Sequence, residues 1–421
     1  MTSLMNSWIM KAMMTLPELR YAVFLHDTRV GTLYQRGDHT RFVLSPEYWS
    51  DPNRAILGLR FEEDPTGRHS AALRLPSWFS NLLPEGVLRQ WIADDRGVSA
   101  DREMELLAQV GHDLPGAVQV VPCNDKDSAA LDWTAHGEPS GTPVADHPEV
   151  RFSLAGVALK FSMLVENDRL TLPAAGQEGG DWIVKLPDPA YRDVPRNEHA
   201  MMSLARAAGI NVPEVRLYHR DQLDTLPLRV WPEIEDYAYA VRRFDRDEHR
   251  RPIHIEDLAQ VRGVYPNGKY NGNYESVAAL IYRRHDLLAL QEFARRLAFN
   301  ILISNGDAHL KNWSLIYHDR QRPTLAPAYD LVCTSAYMGD TETLGMKFAG
   351  RRAFSKVTVR SFERLDRHLA SGDANLTDVV TDLVHRTRTA WPEYRDLLAH
   401  APMLRDHVSA SIEKHARTLL A

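Results

Sequence analysis

The chain has 421 residues, more than one hydrophobic core of typical size accommodates, so we expect two or three packed units. Hydrophobic residues make up 44% and charged residues 25%, ordinary globular values that exclude extended disorder and a fibrous fold. The 50 basic and 56 acidic side chains give a net charge of -6, which argues against a protein that coats nucleic acid through its overall field. Local basic patches stay possible.

The cysteines and the N-terminus bear on location. Cys123 and Cys333 lie far apart and give neither a disulfide framework nor a zinc-ligand spacing, which favours a reducing, cytoplasmic location. The first residues, MTSLMNSWIMKAMMTLPELR, lack a basic leading segment and a small-residue cleavage site, so we expect no targeting signal. No apolar run approaches the roughly 20 residues of a membrane-spanning helix, so we expect no membrane insertion.

The N-terminal region reads as a small α+β domain over residues 1–122. From Tyr21 to Leu44, short β-favouring runs alternate with Asp-Thr and Gly-Asp turns, a pattern typical of antiparallel hairpins. Helical spacing of apolar residues follows over Ser80 to Asp95 and Asp101 to Val110, before the strand-like GHDLPGAVQVVP. Residues 123–149 are rich in Asp, Ser, Gly, Pro and Thr, which predicts a linker.

The next region, residues 150–245, combines strand-like runs with a single helix. The runs VALKFSML, DWIVKLP, VPEVRLYH and YAYAVRRFD surround NEHAMMSLARAAGI, a helix that ends at Gly209. This pattern predicts a sheet with one packed helix. Residues 246–421 are dominated by helical periodicity, with helices expected over residues 282–303, 357–369, 376–389 and 403–420.

The densest polar cluster, ISNGDAHLKNWSLIY, lies between a long apolar helix and a strand-like run. Asp307 precedes Asn312 by the interval that separates the catalytic aspartate from the metal-binding asparagine in protein-kinase loops. The aspartate would orient an attacking hydroxyl, and the amide oxygen would hold a magnesium ion. Asp330, after an apolar strand-like run, could be a second oxygen ligand. The alternative, an NGD turn without chemistry, becomes weaker when Asn312 and Asp330 are considered together.

A kinase also needs a cation near the phosphates. Lys185 lies in the strand-like DWIVKLP, where burial is costly unless the ammonium meets anions, and Glu198 opens the next helix as a salt-bridge partner. Alternatively, Lys185 emerges at a strand edge and Glu198 is a helix-terminal charge favoured by the dipole. His309 and His112 have no second histidine at ligand spacing, so both are interpreted as packing or hydrogen-bonding residues and not as metal ligands.

Upstream, the small-residue loop in RFSLAGVALKFS leads into a strand, and its backbone N–H groups could cradle phosphate oxygens. The loop contains Ser153, Gly156 and Lys160. It has neither the GxGxxG nor the GxxxxGK[ST] pattern, so neither a typical protein-kinase glycine loop nor a P-loop is predicted.

These segments, taken in chain order from about Ser80 to beyond Tyr337, resemble the HipA family of toxin kinases. NLLPEGVLR, VGHDLPGAV, RFSLAGVALKFS, WIVKLP, NEHAMMSLARAAGI, VRRFDR, IHIEDLAQV, FNILISNGDAHLKNWSLIY and LAPAYDLV carry the match. The resemblance implies an α+β, two-lobed protein-kinase-like fold of the phosphoinositide-kinase-like branch, preceded by the small N-terminal α+β domain. Residues 150–245 would form the ATP-binding N-lobe, and residues 246–421 a mostly helical C-lobe with the catalytic loop.

The resemblance also implies roles for individual residues. Asp307 matches the catalytic aspartate, Asn312 and Asp330 match the magnesium ligands, and Lys185, paired with Glu198, matches the lysine on the ATP phosphates. Further ATP contacts, together with Lys185 and Asp330, are expected at Ala155, Gly156, Val157, Ala158, Lys160, Val241, Arg242, Phe244 and His309. Residues 241–244 would form the hinge near the adenine.

Ser153 matches the family's serine whose autophosphorylation displaces the phosphate-binding loop and silences the kinase. Where many members read AGAQEK after this serine, the present chain reads AGVALK, without the glutamine and the glutamate. Backbone contacts to phosphate survive such a change, whereas contacts made by those two side chains do not.

The function implied is that of a type II toxin–antitoxin serine/threonine kinase that uses ATP and Mg²⁺. Family members phosphorylate aminoacyl-tRNA synthetases, halt growth in a way linked to persistence, and are neutralised by a HipB-like helix-turn-helix antitoxin that also binds operator DNA. Two alternatives remain open. The same centre could phosphorylate a small alcohol, against which the N-terminal domain argues, or the chain could act mainly as a weakly active corepressor with its antitoxin.

Overall fold

The chain is described from a computed structural model, which covers residues 16–124, 131, 160–166, 169–171, 180–223, 231, 235–338 and 343–421. The chain forms two compact units. Unit 1 contains the described residues of 1–151 together with 252–267 and 317–322, and unit 2 contains those of 152–251, 268–316 and 323–421. Unit 1 is therefore assembled from three separate stretches of sequence, two of which lie within the predicted C-lobe.

The strands in the described part of the chain are short, as is usual in mixed folds. In chain order they are β1 Glu18–Leu25, β2 Thr28–Arg36, β3 His39–Leu44, β4 His69–Ala72, β5 Val118–Pro122, β6 Lys160–Glu166, β7 Arg169–Thr171, β8 Trp182–Lys185, β9 Val215–His219, β10 Tyr237–Arg242, β11 His254–Asp257, β12 Ser314–Tyr317 and β13 Thr324–Leu325.

The helices are short in unit 1 and longest near the C-terminus. In chain order they are α1 Pro46–Ser50, α2 Leu59–Glu63, α3 Ser77–Ser80, α4 Gly86–Arg96, α5 Glu103–Val110, α6 Val194–Ala207, α7 Leu258–Arg262, α8 Tyr274–Tyr282, α9 Leu287–Leu302, α10 Ser335–Met338, α11 Val359–Leu369, α12 Leu376–Tyr394 and α13 Pro402–Leu419. No helix among these is both long and apolar enough to cross a membrane.

Unit 1 contains an antiparallel five-stranded sheet in the order β4-β3-β2-β1-β5. Its first two hairpins turn at residues 26–27 and at Gly37-Asp38, where His26 and Gly37 adopt left-handed backbone angles of φ 53° and 57°. Such turns match the twist of the flanking strands. The alternation of β1 buries Tyr21, Val23 and Leu25 in the core of unit 1.

A buried carboxyl group ties the separate stretches of unit 1 together. Glu256, fully buried in β11, accepts hydrogen bonds from the backbone N–H of Leu59 at 3.0 Å and the indole N–H of Trp78 at 3.2 Å. The hydroxyl of Tyr317, from the third stretch, donates to the same carboxyl group. Three donors, two from the first stretch and one from the third, therefore meet at a carboxyl group of the second, which satisfies it away from water.

Unit 2 begins with a second antiparallel sheet of five strands, in the order β7-β6-β8-β10-β9. Helix α6 packs against β9 and β10. Its apolar face, which includes Met201, Met202 and Leu204, is completely buried. The predicted sheet with one packed helix is thus present, and it sets the N-terminal half of α6 beside the C-terminal end of β8.

The rest of unit 2 is mainly helical and is organised around α9. Residues on all sides of this helix are buried, and α8, α12 and α13 pack against it. Because it is enclosed, α9 provides a rigid base for the loop that follows it. That loop, residues 303–313, leads into β12, which pairs antiparallel with β13.

Two of the predicted helices were too long. The helix expected over residues 282–303 is interrupted between α8 and α9, where Arg283 and Arg284 adopt left-handed φ angles of 44° and 64°. The helix expected from Ser80 to Asp95 is divided into α3 and α4, because Pro84 has no N–H to continue a helix and Gly86 has φ 57°. Residues 283–286 are all polar, and Pro84 and Gly86 disfavour a continuous helix, so both interruptions coincide with breaks in the apolar pattern.

Candidate active site

The loop after α9 contains the predicted catalytic aspartate and is held by a hydrogen-bonded asparagine. The amide Nδ2 of Asn305 donates to Asn300 Oδ1 at 2.8 Å and to the carbonyl of Asp330 at 3.2 Å. Its Oδ1 accepts the backbone N–H of Asp307 at 3.0 Å. Asn305 is 1% exposed, so its side chain is buried beneath the loop and does not face solvent. It therefore links the loop to the segment that contains Asp330.

Asp330 occupies a strained backbone position. Its φ angle of 57° lies in the left-handed region, which costs a non-glycine residue about 1–3 kcal/mol and persists where the surroundings impose it. Fixed contacts follow immediately in sequence: the fully buried Asn197 of α6 donates to the carbonyl of Cys333 at 3.1 Å and accepts its N–H at 3.0 Å. Thr334 Oγ1 accepts the N–H of Gly306 at 2.8 Å.

Lys185, at the end of β8, bridges two carboxylates. Its Nζ donates to Glu198 Oε1 of α6 at 2.6 Å and also to Asp330 Oδ1. Burial by itself would lower the pKa of the ammonium group, but the charges of Asp330 and Glu198 outweigh it and raise the pKa of Lys185 above its ordinary value. The predicted pairing of Lys185 with Glu198 is present, and Lys185 is a cation throughout the physiological range.

These groups line an open cleft of about 490 Å³ in unit 2. The charged residues among its described lining are Lys185, Glu198, Asp307 and Asp330, one cation against three carboxylates. The aromatic ring of Tyr239, fully buried in β10, lies with its centroid 5.6 Å from Lys185 Nζ. The described walls therefore carry more carboxylates than cations, and a polyanionic ligand would need a further cation to offset their repulsion.

Asn312 has the character expected of a metal ligand. Both atoms of its side-chain amide are buried and make no hydrogen bond within the described part of the chain. Asn312 and Asp330 line a common cavity of about 250 Å³. A buried amide oxygen without a donor, beside a carboxylate, is a hard-oxygen pair of the kind that Mg²⁺ prefers when phosphates and water complete its shell. Among the described residues, no group of three or more His, Cys, Asp or Glu side chains is arranged so that it could hold a metal ion by itself.

The other predicted ATP-contact residues whose side chains are described do not line the cleft. Val241 and Arg242 end β10, Val241 buried and Arg242 exposed, and neither lines the cleft. The ring of Phe244 stacks on that of Tyr329, the neighbour of Asp330, at 5.7 Å between centroids. His309 is buried in the same loop as Asp307, with its Nε2 4.0 Å from Asp307 Oδ1. The cleft's described lining does not include His309 or Phe244.

The small-residue loop is outside the described part of the chain. Ser153, Ala155, Gly156, Val157 and Ala158 lie there, and of Lys160 only the backbone, at the start of β6, is described. Their predicted roles on ATP, and that of Ser153 in regulation, stay predictions.

Comparison with known proteins identifies the family. Residues 21–121 match the family model of the HipA N-terminal domain, and residues 152–391 that of the HipA-like C-terminal domain. Y4dM of Sinorhizobium fredii, which carries a provisional kinase name, is 40% identical over 408 residues, covering 94% of this chain and 96% of Y4dM. The serine/threonine-protein kinase toxin HipA of Shewanella oneidensis is 27% identical over 303 residues, covering 63% of this chain and 64% of the toxin.

A solved structure agrees with the fold. A chain of the Shewanella oneidensis complex of HipA, HipB and operator DNA matches with a TM-score of 0.72 at 22% identity, covering 94% of this chain and 97% of that one. The predicted α+β, HipA-like fold is confirmed, with an N-terminal sheet domain and a mainly helical C-terminal part. The two family models between them span most of the chain, so the chain belongs to the HipA family of kinases.

Proposed function

We propose that this protein is a toxin serine/threonine kinase that transfers the γ-phosphate of ATP to a serine of a protein substrate. The proposed substrate is a bacterial aminoacyl-tRNA synthetase. The observation that carries the proposal is the meeting of Lys185, Glu198, Asp307 and Asp330 in one cleft. Phosphoryl transfer needs positioned charges more than covalent chemistry, and these residues supply them.

Each residue has a separate part in the proposed reaction. Lys185, held by Glu198, would bind the phosphates and offset the charge that spreads over the transferred group. Asp307 would accept a hydrogen bond from the hydroxyl of the substrate serine and so orient it for attack. Asn312 and Asp330 would hold Mg²⁺, which neutralises phosphate charge. The oxygen donors of both side chains and the buried amide of Asn312 support this assignment.

The central test is phosphorylation of a bacterial lysate. Purified protein, Mg²⁺ and ATP labelled on the γ-phosphate are expected to label a protein band, which mass spectrometry would identify. The Asp307→Asn variant should bind ATP normally but transfer phosphate about 10²- to 10⁴-fold more slowly, because an amide cannot accept the hydroxyl proton. Near-normal transfer by this variant would remove the loop from the mechanism. Label found only in small molecules would instead favour a small-alcohol kinase.

The partner is proposed by analogy. HipA of Shewanella oneidensis has been solved together with HipB and operator DNA. We propose that this chain likewise binds a HipB-like helix-turn-helix antitoxin, and reaches DNA only through it. Co-expression with a HipB-like helix-turn-helix protein should relieve growth arrest and yield a co-purifying complex. Failure of both would favour a role without an antitoxin. A cytoplasmic location and a contribution to persistence belong to the same proposal.

Autophosphorylation at Ser153 is the regulatory part of the proposal. A phosphate adds about -1.5 to -2 charges at neutral pH and would repel the nucleotide phosphates from a neighbouring loop. Mass spectrometry after incubation with Mg·ATP should find phosphoserine in the wild type and not in Asp307→Asn, together with a lower ATP affinity of the modified protein. An unmodified Ser153 after long incubation would contradict this part and leave the transferase itself intact.

A further inference from the structure

The catalytic-loop aspartate has a tyrosine partner that the sequence analysis did not single out. The hydroxyl of Tyr270 donates a hydrogen bond to Oδ1 of Asp307. The segment of Tyr270 precedes α8, and Asp307 is in the loop after α9, so 37 positions separate the two residues. A contact of such sequence separation depends on the packing of α8 and α9.

Tyr270 is itself fixed to the loop it contacts. The carbonyl of the preceding residue, Lys269, accepts the N–H of Leu310 at 3.1 Å. The ring of Tyr270 packs edge-on against that of His309, with the centroids 5.1 Å apart. The turn is closed by the N–H of Asn271, which donates to the carbonyl of Gly268 at 2.8 Å. A side chain held at its ring and at its backbone can hold another side chain in turn.

The position of Tyr270 relative to the cleft bears on whether it supports Asp307 or obstructs the substrate. Asp307 is among the described residues that line the cleft with Lys185 and Asp330, and Tyr270 is not. Tyr270 therefore contacts Asp307 without itself lining the described part of the cleft. The backbone of Asp307 is fixed independently through Asn305, at 3.0 Å.

We propose that Tyr270 is a positioning residue that fixes the carboxylate orientation of Asp307 for the acceptor hydroxyl. The inference rests on the proposed kinase function. An aspartate side chain can rotate its carboxylate plane at little cost, and a rotation moves the accepting oxygen away from the hydroxyl that it must orient. One hydrogen bond to Oδ1 restricts that rotation. Tyr270 acts only through Asp307 and does not touch the nucleotide.

The test compares two phenylalanine variants, each of which removes one hydroxyl that donates a hydrogen bond to the loop after α9. Tyr270→Phe removes the bond to the Asp307 side chain, whereas Tyr274→Phe removes a bond to the backbone carbonyl of Ala308 at 2.8 Å. We expect kcat for protein phosphorylation to fall about 10- to 100-fold in Tyr270→Phe, with the KM for ATP and the equilibrium ATP affinity unchanged. Tyr274→Phe should lower the melting temperature at least as much and reduce kcat less.

A double-mutant cycle separates positioning from general loosening of the loop. If Tyr270 acts through Asp307, Tyr270→Phe should produce no further loss in the residual rate of Asp307→Asn. Additive losses would overturn the inference, as would equal kcat values for the two phenylalanine variants. A rise in kcat would also overturn it, because it would make Tyr270 an obstruction. An inactive wild type would overturn the proposed function itself. If the wild type is active and Tyr270→Phe is equally active, only the inference about Tyr270 would be overturned.

Discussion

Lys185 is the residue on which the cleft chemistry converges, because two carboxylates with different tasks share its ammonium group. Glu198 comes from a helix and is 3% exposed, so its contact is structural. Asp330 itself has a strained, left-handed backbone angle, and it also lines the cavity that Asn312 lines. Removing either carboxylate weakens the hold on Lys185, but only one of the two changes removes an oxygen suited to magnesium.

Asp330→Asn and Glu198→Gln should therefore differ in how their ATP binding depends on Mg²⁺. Asp330→Asn should weaken ATP binding chiefly by raising the Mg²⁺ concentration needed for half-saturation, by about tenfold or more, since a carboxylate ligand is replaced by a neutral one. Glu198→Gln should lower ATP affinity without altering the Mg²⁺ requirement. Isothermal titration with ATP at several Mg²⁺ concentrations measures both. The same Mg²⁺ dependence in the two variants would contradict the metal role of Asp330.

At the residue scale, sequence patterns indicate the polar groups to which the proposed chemistry is assigned. Asp307, Asn312 and Lys185 stand in short motifs whose spacing reflects the chemistry, and they can be recognised without a structure. Asn197 and Tyr270 could not be found in this way. Their partners are 136 and 37 positions away, and an asparagine in a helix or a tyrosine before one has no local signature. Only the packed tertiary structure brings such pairs together.

At the scale of elements, α6 does more than supply Glu198. One position earlier, Asn197 satisfies both the N–H and the carbonyl of Cys333, three residues after Asp330. The helix therefore controls the two ends of the lysine bridge: its glutamate holds the ammonium group, and its asparagine holds the backbone that leads away from the aspartate. A displacement of α6 would change both contacts together.

Asn197→Ala tests this connection. The change removes both hydrogen bonds between Asn197 and the backbone of Cys333, each worth about 0.5–1.5 kcal/mol. Urea unfolding should show the loss of stability, and the kinase rate should fall because Asp330 is less constrained. The control, Tyr337→Phe, removes only the hydroxyl that accepts from Asn197 at 3.2 Å, and it should have a smaller effect on both. Full activity in Asn197→Ala would show that α6 does not control Asp330.

The elements themselves were largely predictable, because strands and helices follow periodicities of two and 3.6 residues. The helix α12 extends five residues beyond its predicted end, and α13 is shifted by one residue at each end. Pro84 and Gly86 indicate the break before α4 in the sequence, whereas the conformation of the break between α8 and α9 has no such signal. Arg283 and Arg284 take left-handed angles although neither residue type favours them, so tertiary packing decides the break between α8 and α9.

At the scale of the whole molecule, unit 1 depends on a titratable group. Burial raises the pKa of Glu256 to about 7, although hydrogen bonds from Tyr317, Leu59 and Trp78 oppose the shift. An acid whose pKa is raised on folding contributes stability below its unfolded pKa near 4.5, and that contribution is lost as the pH rises to about 7. Burial lowers the pKa of the neighbouring His254 to about 4, which has the opposite effect between about 4 and 6.5.

Glu256→Gln separates these two opposing contributions. Glutamine does not titrate, and His254 is common to both proteins. The stability of the wild type relative to the variant should therefore decrease by on the order of 3 kcal/mol as the pH rises from 4.5 to about 7. Denaturant unfolding across this range, monitored by tryptophan fluorescence because Trp78 touches the carboxyl group, measures the difference. A difference that does not change with pH would mean that Glu256 is ionised throughout.

The assembly of unit 1 from three stretches also has a consequence for the order of events during synthesis. The sheet strands up to β5 leave the ribosome early, but Tyr317, which binds the carboxyl group of Glu256, is made almost 200 residues after residue 122. At 5–20 residues per second this interval is roughly 10 to 40 s. In a nascent chain, unit 1 therefore has all five strands of its sheet early but lacks its last stretch until about three quarters of the chain has been translated.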